Sequence, residues 1–304
     1  MEQHFIILNP WAGRGIAVQH RGILEQALRD NQIDYTLTAT KARGDATQMA
    51  QHAVEQGYQR IVVAGGDGTI NEVVNGVRNV ESANGSRTQL GIIPFGTGND
   101  FIKSLNGFAI NDVPGAVRRL SDGQSHPVDL GGVRADGGPW RYFINGLGMG
   151  FDAQVAFEAM NITRLRGLAV YIVAIVRALA KYKAHPMSIV YNQSQIQQRL
   201  LFASVGNGKC QGGGFWITPD ALMDDGLLDV CLVNNLRLDE IIRHVPKLMR
   251  GTHTTNKHVT MGRAPQIQVR SDAPIPVATD GEVITTNARN VTVETFVHVL
   301  EVIV

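Results

Sequence analysis

The chain has 304 residues, which is more than a usual single domain, so two domains are expected. Apolar residues make up 44% of the chain and charged residues 18%, a balance that builds packed cores and excludes a disordered chain. The formal net charge of +1 gives no electrostatic basis for binding nucleic acid. Cys210 and Cys231 are too few for a disulfide framework, and the first residues lack a secretion signal, so we expect reduced thiols and a cytoplasmic protein.

Strands and helices alternate along the first third of the chain. The expected strands are Phe5–Asn9, Tyr35–Ala39, Ile61–Ala64 and Leu90–Pro94, and the expected helices are Ala17–Asp30, 45–56 with Asp45 as N-cap, and Ile70–Val77. This alternation predicts an α/β domain with a doubly wound parallel sheet. Ligands of such sheets bind beyond the carboxyl ends of the strands.

The third of these strands ends in a glycine-rich turn, Gly65-Gly66-Asp67-Gly68-Thr69. A strand that feeds a helix through such a turn places free backbone N–H groups at the helix N-terminus, where a phosphate binds. Asp67 would repel a phosphate, but its carboxylate can engage a metal ion or a ribose. The alternative is a tight turn that needs glycine for steric reasons alone.

Two other loops follow strands in the same way. One is Pro10-Trp11-Ala12-Gly13-Arg14-Gly15 after the first strand, and the other is Phe95-Gly96-Thr97-Gly98-Asn99-Asp100 after the fourth. All three glycine-bearing loops therefore fall at the carboxyl ends of predicted parallel strands, which favours a nucleotide site over three separate steric turns.

The pattern changes after about Asp122. Short strands with turn signals between them predominate, and two of them alternate apolar and polar residues as half-buried antiparallel strands do. The strands are 128–133, 141–145, 187–191, 200–205, 228–233, 266–270 and 274–278, with helices near 153–160, 163–183 and 239–249. They predict an antiparallel β-sandwich with inserted helices. We expect the α/β domain over 1–125, the β-sandwich over 126–289, and a tail over 290–304 that returns to the first domain.

One predicted helix, Thr163–Lys183, contains the unbroken apolar run Leu168–Val176. The run is less than half of the roughly 20 residues that a membrane span needs. Basic residues lie at both ends of the helix, among them Arg164, Arg166 and Arg177. The helix is therefore either a buried domain helix or an interfacial element suited to anionic lipid.

Six motifs occur in an order and at separations typical of one family. They are Asn9-Pro10…Gly13, Gly65–Glu72, Gly96–Asp100, Gly146–Asp152, Asp224–Asp229 and Asp280-Gly281-Glu282. With these motifs the chain resembles the diacylglycerol kinase catalytic-domain family, which includes soluble bacterial lipid kinases, sphingosine kinases and ceramide kinases. The resemblance covers essentially the whole chain. The glycine-aspartate turn by itself also occurs in NAD kinases and phosphofructokinases.

The resemblance implies an ATP site residue by residue. In the family, the Asn-Pro-x-x-Gly and Gly-Gly-Asp-Gly-Thr turns hold the ATP phosphates through backbone N–H groups and a threonine hydroxyl. A strand-end threonine and the Gly-Thr-Gly-Asn loop lie near the nucleotide. The residues implied here are Asn9, Pro10, Gly13, Thr40, Gly66, Asp67, Gly68, Thr69, Ile70, Asn71, Glu72 and Thr97. The resemblance also implies that Asp67 helps to hold a catalytic Mg²⁺.

Two further sites are implied in the second domain. Glu282 matches the family's proton acceptor, and Asp280 is either a rival base or a group that orients Glu282. Leu222, Asp225 and Leu227 match a structural Mg²⁺ loop in which one aspartate and two main-chain carbonyls bind the ion. Without the resemblance, both segments are ordinary β-turns.

The expected function is Mg²⁺-dependent transfer of the ATP γ-phosphate to a lipid alcohol, either diacylglycerol or a related glycerolipid. The alternatives are a soluble-substrate kinase related to NAD kinase and a non-catalytic nucleotide-binding regulator. The expected partners are the lipid substrate and, transiently, a membrane surface, with Thr163–Lys183 and Phe215-Trp216 as candidate contacts. A homodimer is compatible with the sequence.

Overall fold

The computed structural model describes residues 3–84, 88–105, 112–122, 124–162 and 168–304. The chain forms two compact units: unit 1 is Met1–Leu130 with Val297–Val304, and unit 2 is Gly131–Phe296. The sequence placed these boundaries at 125 and 289. They lie later in the structure because each boundary falls inside a continuous strand rather than in a loop.

Unit 1 is built from alternating strands and helices. In chain order they are β1 (His4–Leu8), α1 (Ile16–Gln19), α2 (Arg21–Asp30), β2 (Tyr35–Ala39), α3 (Asp45–Glu55), β3 (Arg60–Gly65), α4 (Asp67–Asn84), β4 (Gln89–Pro94), α5 (Asp100–Ser104), α6 (Val113–Asp122) and the first part of β5 (Ser125–Ala135).

Unit 2 consists mainly of strands. After β5 come β6 (Arg141–Phe143), β7 (Gly146–Gly150), α7 (Phe151–Met160), α8 (Leu168–Lys181), β8 (His185–Tyr191), β9 (Ser194–Gly206), β10 (Leu228–Asn234), α9 (Leu238–Arg250), β11 (Val259–Ala264), β12 (Gln266–Thr279) and β13 (Glu282–Ile303), whose end belongs to unit 1. The predicted helix start at 163–167, with Arg164 and Arg166, lies outside the described residues. No helix of the described segments combines the length and apolar content that crossing a bilayer requires.

The sheet of unit 1 has the order β13–β4–β3–β1–β2, and every neighbouring pair is parallel. Successive strand residues point to opposite faces. Ile6 and Leu8 therefore pack with Leu24 and Val117 of α2 and α6 on one face. On the other face α3 contacts β1 and α4 contacts β3. Helices cover both faces, which confirms the predicted doubly wound sheet.

The strand order of unit 1 reverses at β1 and β3, because β2 lies beside β1 on one side and β4 beside β3 on the other. At such a switch point the connecting helices leave toward opposite faces, and a crevice opens at the carboxyl ends of the strands. The loops after β1 and β3 border this crevice, and the loop after β4 is their neighbour. The topology therefore brings the three predicted loops to one place.

Strands β7 to β12 pair with one another in antiparallel fashion, and so do β5 with β6 and β12 with β13. Strands β11, β10, β9, β7, β12 and β13 follow one another, and β8 pairs with both β12 and β9. The strands enclose an apolar core that includes Leu147, Val205, Val230, Ile267 and Val277. This arrangement, with α7, α8 and α9 inserted, confirms the predicted fold class of the second domain.

Asp45 is not the N-cap of α3, contrary to the prediction. The N-cap is Gly44 in a left-handed conformation, and Asp45 is the first helical residue. Its carboxylate accepts the N–H groups of Lys41 and Ala42 at 2.7 and 2.9 Å, which lowers the pKa of Asp45. Asp45 therefore fixes the loop that enters the helix.

Candidate active site

Asn9 fastens the loop after β1 to the loop after β3. Its backbone N–H donates to the carbonyl of Ala64 at 2.9 Å, and its Nδ2 donates to the Thr69 hydroxyl at 2.9 Å. Its Oδ1 accepts the backbone N–H of Trp11 at 3.0 Å. One residue thus links the two loops that were predicted to hold the phosphates.

Glycines let the three loops approach one another through bare backbone. A Cβ on Gly13 would lie 2.2 Å from the carbonyl oxygen of Phe95, and the φ of Gly13 is +59°. A Cβ on Gly66 would lie 2.9 Å from the Cα of Gly96. Neither distance leaves room for a side chain, so the glycines of these motifs are needed for the loops to meet.

The N-terminus of α4 points its first turn into this region. The helix begins at Asp67, and its first internal bond runs from the Ile70 N–H to the Gly66 carbonyl at 3.0 Å. The N–H groups of Asp67, Gly68 and Thr69 precede that bond, so the helix supplies no acceptor for them. Free N–H groups and the positive end of the helix dipole are together suited to a phosphate.

Asp67 connects the second loop to the third. Its Oδ1 accepts the backbone N–H of Phe101 in α5 at 3.0 Å. Asn99 stands at the N-cap of α5 with φ 49°, and its Nδ2 donates to the Gly96 carbonyl at 2.8 Å. One oxygen of the Asp67 carboxylate is therefore used in a hydrogen bond that links the two loops.

The other predicted nucleotide residues fall into two groups. Glu72 accepts the Ala46 N–H at 3.3 Å, and Ile70 and Asn71 are 1% exposed, so these three side chains hold α4 in place. Thr97 is exposed in the loop after β4, and the buried Thr40 follows β2. Their assignment to the nucleotide stays a prediction.

Asp280 binds a stretch of backbone in unit 2 through its carboxylate. With Gly281 it forms the two-residue turn between β12 and β13, and both residues have positive φ, 45° and 81°. Its carboxylate accepts the N–H groups of Ile144, Asn145 and Gly146 at 2.7, 2.9 and 3.0 Å. These bonds occupy the carboxylate, so Asp280 fixes the turn that carries Glu282.

Glu282 follows this turn as the first residue of β13. Its side chain is 23% exposed, and its Oε2 accepts a bond of 2.5 Å from Nη2 of Arg141, which is 32% exposed. The sequence analysis did not single out Arg141. The one available signal was a basic residue opening the strand before the Gly146–Asp152 motif.

In the predicted Mg²⁺ loop, the Asp225 carboxylate forms an ion pair with Arg263. Oδ1 of Asp225 accepts the Leu227 N–H at 3.0 Å, and its Oδ2 is in contact with Nη2 of Arg263. Arg263 also lies 3.3 Å from the buried Asp229. The predicted ligands are the Asp225 carboxylate and the main-chain carbonyls of Leu222 and Leu227, and their assignment to Mg²⁺ stays a prediction. The described residues contain no group of three or more His, Cys, Asp or Glu side chains suited to a metal ion.

Three glycine loops that meet at the switch point of an α/β sheet are an arrangement suited to a nucleotide-binding protein. The diacylglycerol kinase catalytic domain profile matches residues 3–133, and the profile of the YegS C-terminal NAD kinase beta sandwich-like domain matches residues 146–304.

Relatives match along nearly the whole chain. A diacylglycerol kinase of Bacillus subtilis is 30% identical over 93% of this chain and 90% of its own length. One of Staphylococcus epidermidis is 33% identical over 91% and 84%. A Bacillus anthracis protein, solved as a candidate diacylglycerol kinase, superposes with a TM-score of 0.78 at 25% identity, covering 99% of this chain and 96% of that one. The chain belongs to the diacylglycerol kinase family and is a lipid kinase.

Proposed function

We propose that the enzyme transfers the γ-phosphate of ATP, with Mg²⁺, to the free hydroxyl of diacylglycerol or a closely related glycerolipid. The observation that carries this proposal is the meeting of three glycine loops at the switch point of unit 1. The relatives' name, diacylglycerol kinase, supports the acceptor class.

Unit 1 supplies the donor site. The N–H groups of Asp67, Gly68 and Thr69 face a phosphate chain, and the Asn9–Thr69 bond holds two of the loops in register. Thr40, which follows β2, and Thr97, in the loop after β4, are assigned to the nucleoside side.

Asp67 is the residue that fits Mg²⁺. A carboxylate oxygen is the ligand that this hard cation prefers, and the bond to Phe101 uses only Oδ1 of Asp67. The ion would supply charge neutralisation between the phosphates.

Unit 2 supplies the proton acceptor. Phosphoryl transfer needs alignment of donor and acceptor and a group that takes the hydroxyl proton. Glu282 is suited to take it, because its carboxylate is partly exposed while that of Asp280 is filled by three N–H groups. Arg141 holds the Glu282 side chain in one orientation.

The test is phosphorylation of lipids in mixed micelles with labelled ATP, with the product identified by mass. We expect label in phosphatidic acid or its close analogue. Glu282→Gln should lower kcat by at least about 100-fold and leave ATP binding intact in calorimetry. Asp280→Asn should instead lower the free energy of unfolding by about 1–3 kcal/mol, because it opposes backbone N–H groups with an amide.

The same assay separates the rivals. Label in NAD and in no lipid would assign a soluble acceptor and overturn the proposal. ATP binding without turnover on any acceptor would assign a regulator and overturn it as well.

A further inference from the structure

Only half of the apolar face of α9 is covered. Ile241 is 7% exposed and belongs, with the half-buried Leu248, to the apolar cluster between the helices and the sheet of unit 2. Ile242 is 57% exposed, Met249 is 38% exposed, and Pro246 is exposed as well. These three residues stand at helical spacing i, i+4 and i+7 and form one line, which we call the α9 stripe.

Cations border the α9 stripe along one side. Each stripe residue is followed in sequence by a basic residue: Arg243, Lys247 and Arg250. These side chains therefore form a second line along the helix, rotated from the stripe by one residue, about 100°. Arg243 is paired with Asp239 at 3.2 Å. Across the segments that the structure describes, no carboxylate lies within ion-pair distance of Lys247 or Arg250. Two charges are therefore available to an external anion.

Helix α8 repeats the pattern on the same apolar cluster. Ala178 is buried in that cluster and Ile175 packs against it. Ile172 and Val176 are exposed by 52% and 58%, one turn apart, and the exposed Arg177 follows Val176. Two helices that cover one core thus both present apolar side chains to the outside with a cation next to them.

We infer that the α9 stripe, together with the exposed side of α8, docks the enzyme on an anionic lipid bilayer. An amphipathic helix with large apolar side chains and adjacent Lys and Arg lies in the bilayer interface, where the apolar residues enter the acyl boundary and the cations meet headgroups. A second copy of the chain fits poorly, because a two-fold contact would bring the same cations together. The inference rests on the proposed function, since a diacylglycerol acceptor resides in a bilayer.

The test is sedimentation of the full chain, without ATP, with vesicles of phosphatidylcholine alone or mixed with phosphatidylglycerol. We expect binding to the mixed vesicles that weakens as salt rises. Lys247→Gln with Arg250→Gln should reduce the partition coefficient on the order of 25-fold, because each cation near an anionic surface strengthens binding about fivefold. Ile242→Ser with Met249→Ser should reduce it roughly tenfold or more.

Ile23→Ser is the matched control, because Ile23 is exposed by 48% on α2 of unit 1 and should leave binding unchanged. Activity on a short-chain, monomeric diacylglycerol separates the two proposals. Docking variants should keep that activity, and its absence from the wild type would count against the proposed function alone. Equal binding of wild type and docking variants would overturn the inference. So would a dimer in light scattering that the stripe variants abolish.

Discussion

Arg141 holds the side chain of Glu282 through the 2.5 Å bond between Nη2 and Oε2. A general base that is held in the orientation that reaches the substrate hydroxyl raises the reaction rate, and a small displacement of the base lowers that rate. We expect Arg141→Met to lower kcat on the order of tenfold with little change in KM for ATP. Arg141→Lys should recover only part of the loss, because an ammonium lacks the planar fork.

The double variant gives the control for this positioning role. In a Glu282→Gln background, Arg141→Met should change kcat little, because the two residues act as a unit. Losses that multiply in steady-state kinetics would show that Arg141 acts independently of Glu282.

Asp152 gives unit 2 a pH-dependent stability. Burial raises the pKa of Asp152 to about 7, and the bond from the Ala153 N–H at 2.8 Å only partly opposes this shift. The folded state therefore binds the proton more tightly than the unfolded chain, whose value is near 3.8. Protonation of Asp152 therefore adds to the free energy of unfolding, fully below about pH 4, and this stabilisation is lost as the pH rises to 7.

Asp152→Asn is neutral at every pH and keeps the oxygen that accepts the Ala153 N–H. Relative to this variant, the wild type should lose up to about 4 kcal/mol of unfolding free energy between pH 4 and pH 7, and no more above it. Urea unfolding across this range is the measurement. Parallel curves for the two proteins would contradict the prediction.

Arg263 forms ion pairs with both Asp225 and Asp229. Burial raises the pKa of Asp229, and the guanidinium of Arg263 opposes that shift. Arg263→Met should cost about 1–2 kcal/mol, since the arginine is partly exposed, and Mg²⁺ should restore part of the melting temperature of the variant. The wild type should melt at the same temperature in Mg²⁺ and in chelator. Arg270→Met, at an exposed position of β12, is the control.

At the scale of elements, the loops of unit 1 depend on backbone contact between Gly66 and Gly96. Gly66→Ala would place a Cβ 2.9 Å from the Gly96 Cα, so one loop must move. We expect a stability loss of about 1–3 kcal/mol and an ATP dissociation constant raised at least tenfold, measured by unfolding and calorimetry. Gly22→Ala meets nothing within 4 Å and should leave both unchanged or slightly raise stability. Equal ATP affinity of the two variants would contradict the prediction.

Strands β1 to β4 of unit 1 were predictable because their signals are local, whereas α5 and α6 were not predicted. An apolar run followed by a glycine turn marks both the end of a strand and its ligand loop. In unit 2 the signals are weaker. The strand β7 consists largely of glycine and was not recognised, and β12 was divided in two because its register shifts between Arg270 and Ile275, around Pro274.

The partners of the site residues could not be predicted, because they lie far apart in sequence. Asp67 meets Phe101 across 34 positions, and Arg141 meets Glu282 across 141. No periodicity or spacing encodes such a pair, since the fold brings the two together. The motifs therefore singled out the candidate residues, and the structure divides them into residues that hold loops, such as Asp280, and partly exposed groups, such as Glu282.

At the scale of the whole molecule, unit 1 is completed by the last residues of the chain. The end of β13 pairs in parallel with β4, matching Val302 with Leu90. Leu300, Val302 and Ile303 are at most 2% exposed. The backbone N–H of His298 also donates to Asp129 at 2.7 Å. Unit 1 thus includes a segment that follows all of unit 2 in the chain.

Deletion of Val297–Val304 should therefore abolish ATP binding, although it removes none of the candidate ATP residues. The three buried side chains contribute about 1.5–3 kcal/mol each, a sum comparable to the whole stability of a domain. Calorimetry with ATP and urea unfolding measure the two effects. Val297→Ser is the control, because Val297 is exposed by 51% in the same strand. This substitution should leave ATP binding and the free energy of unfolding unchanged. A truncated chain that binds ATP with wild-type affinity would show that unit 1 folds without its last strand.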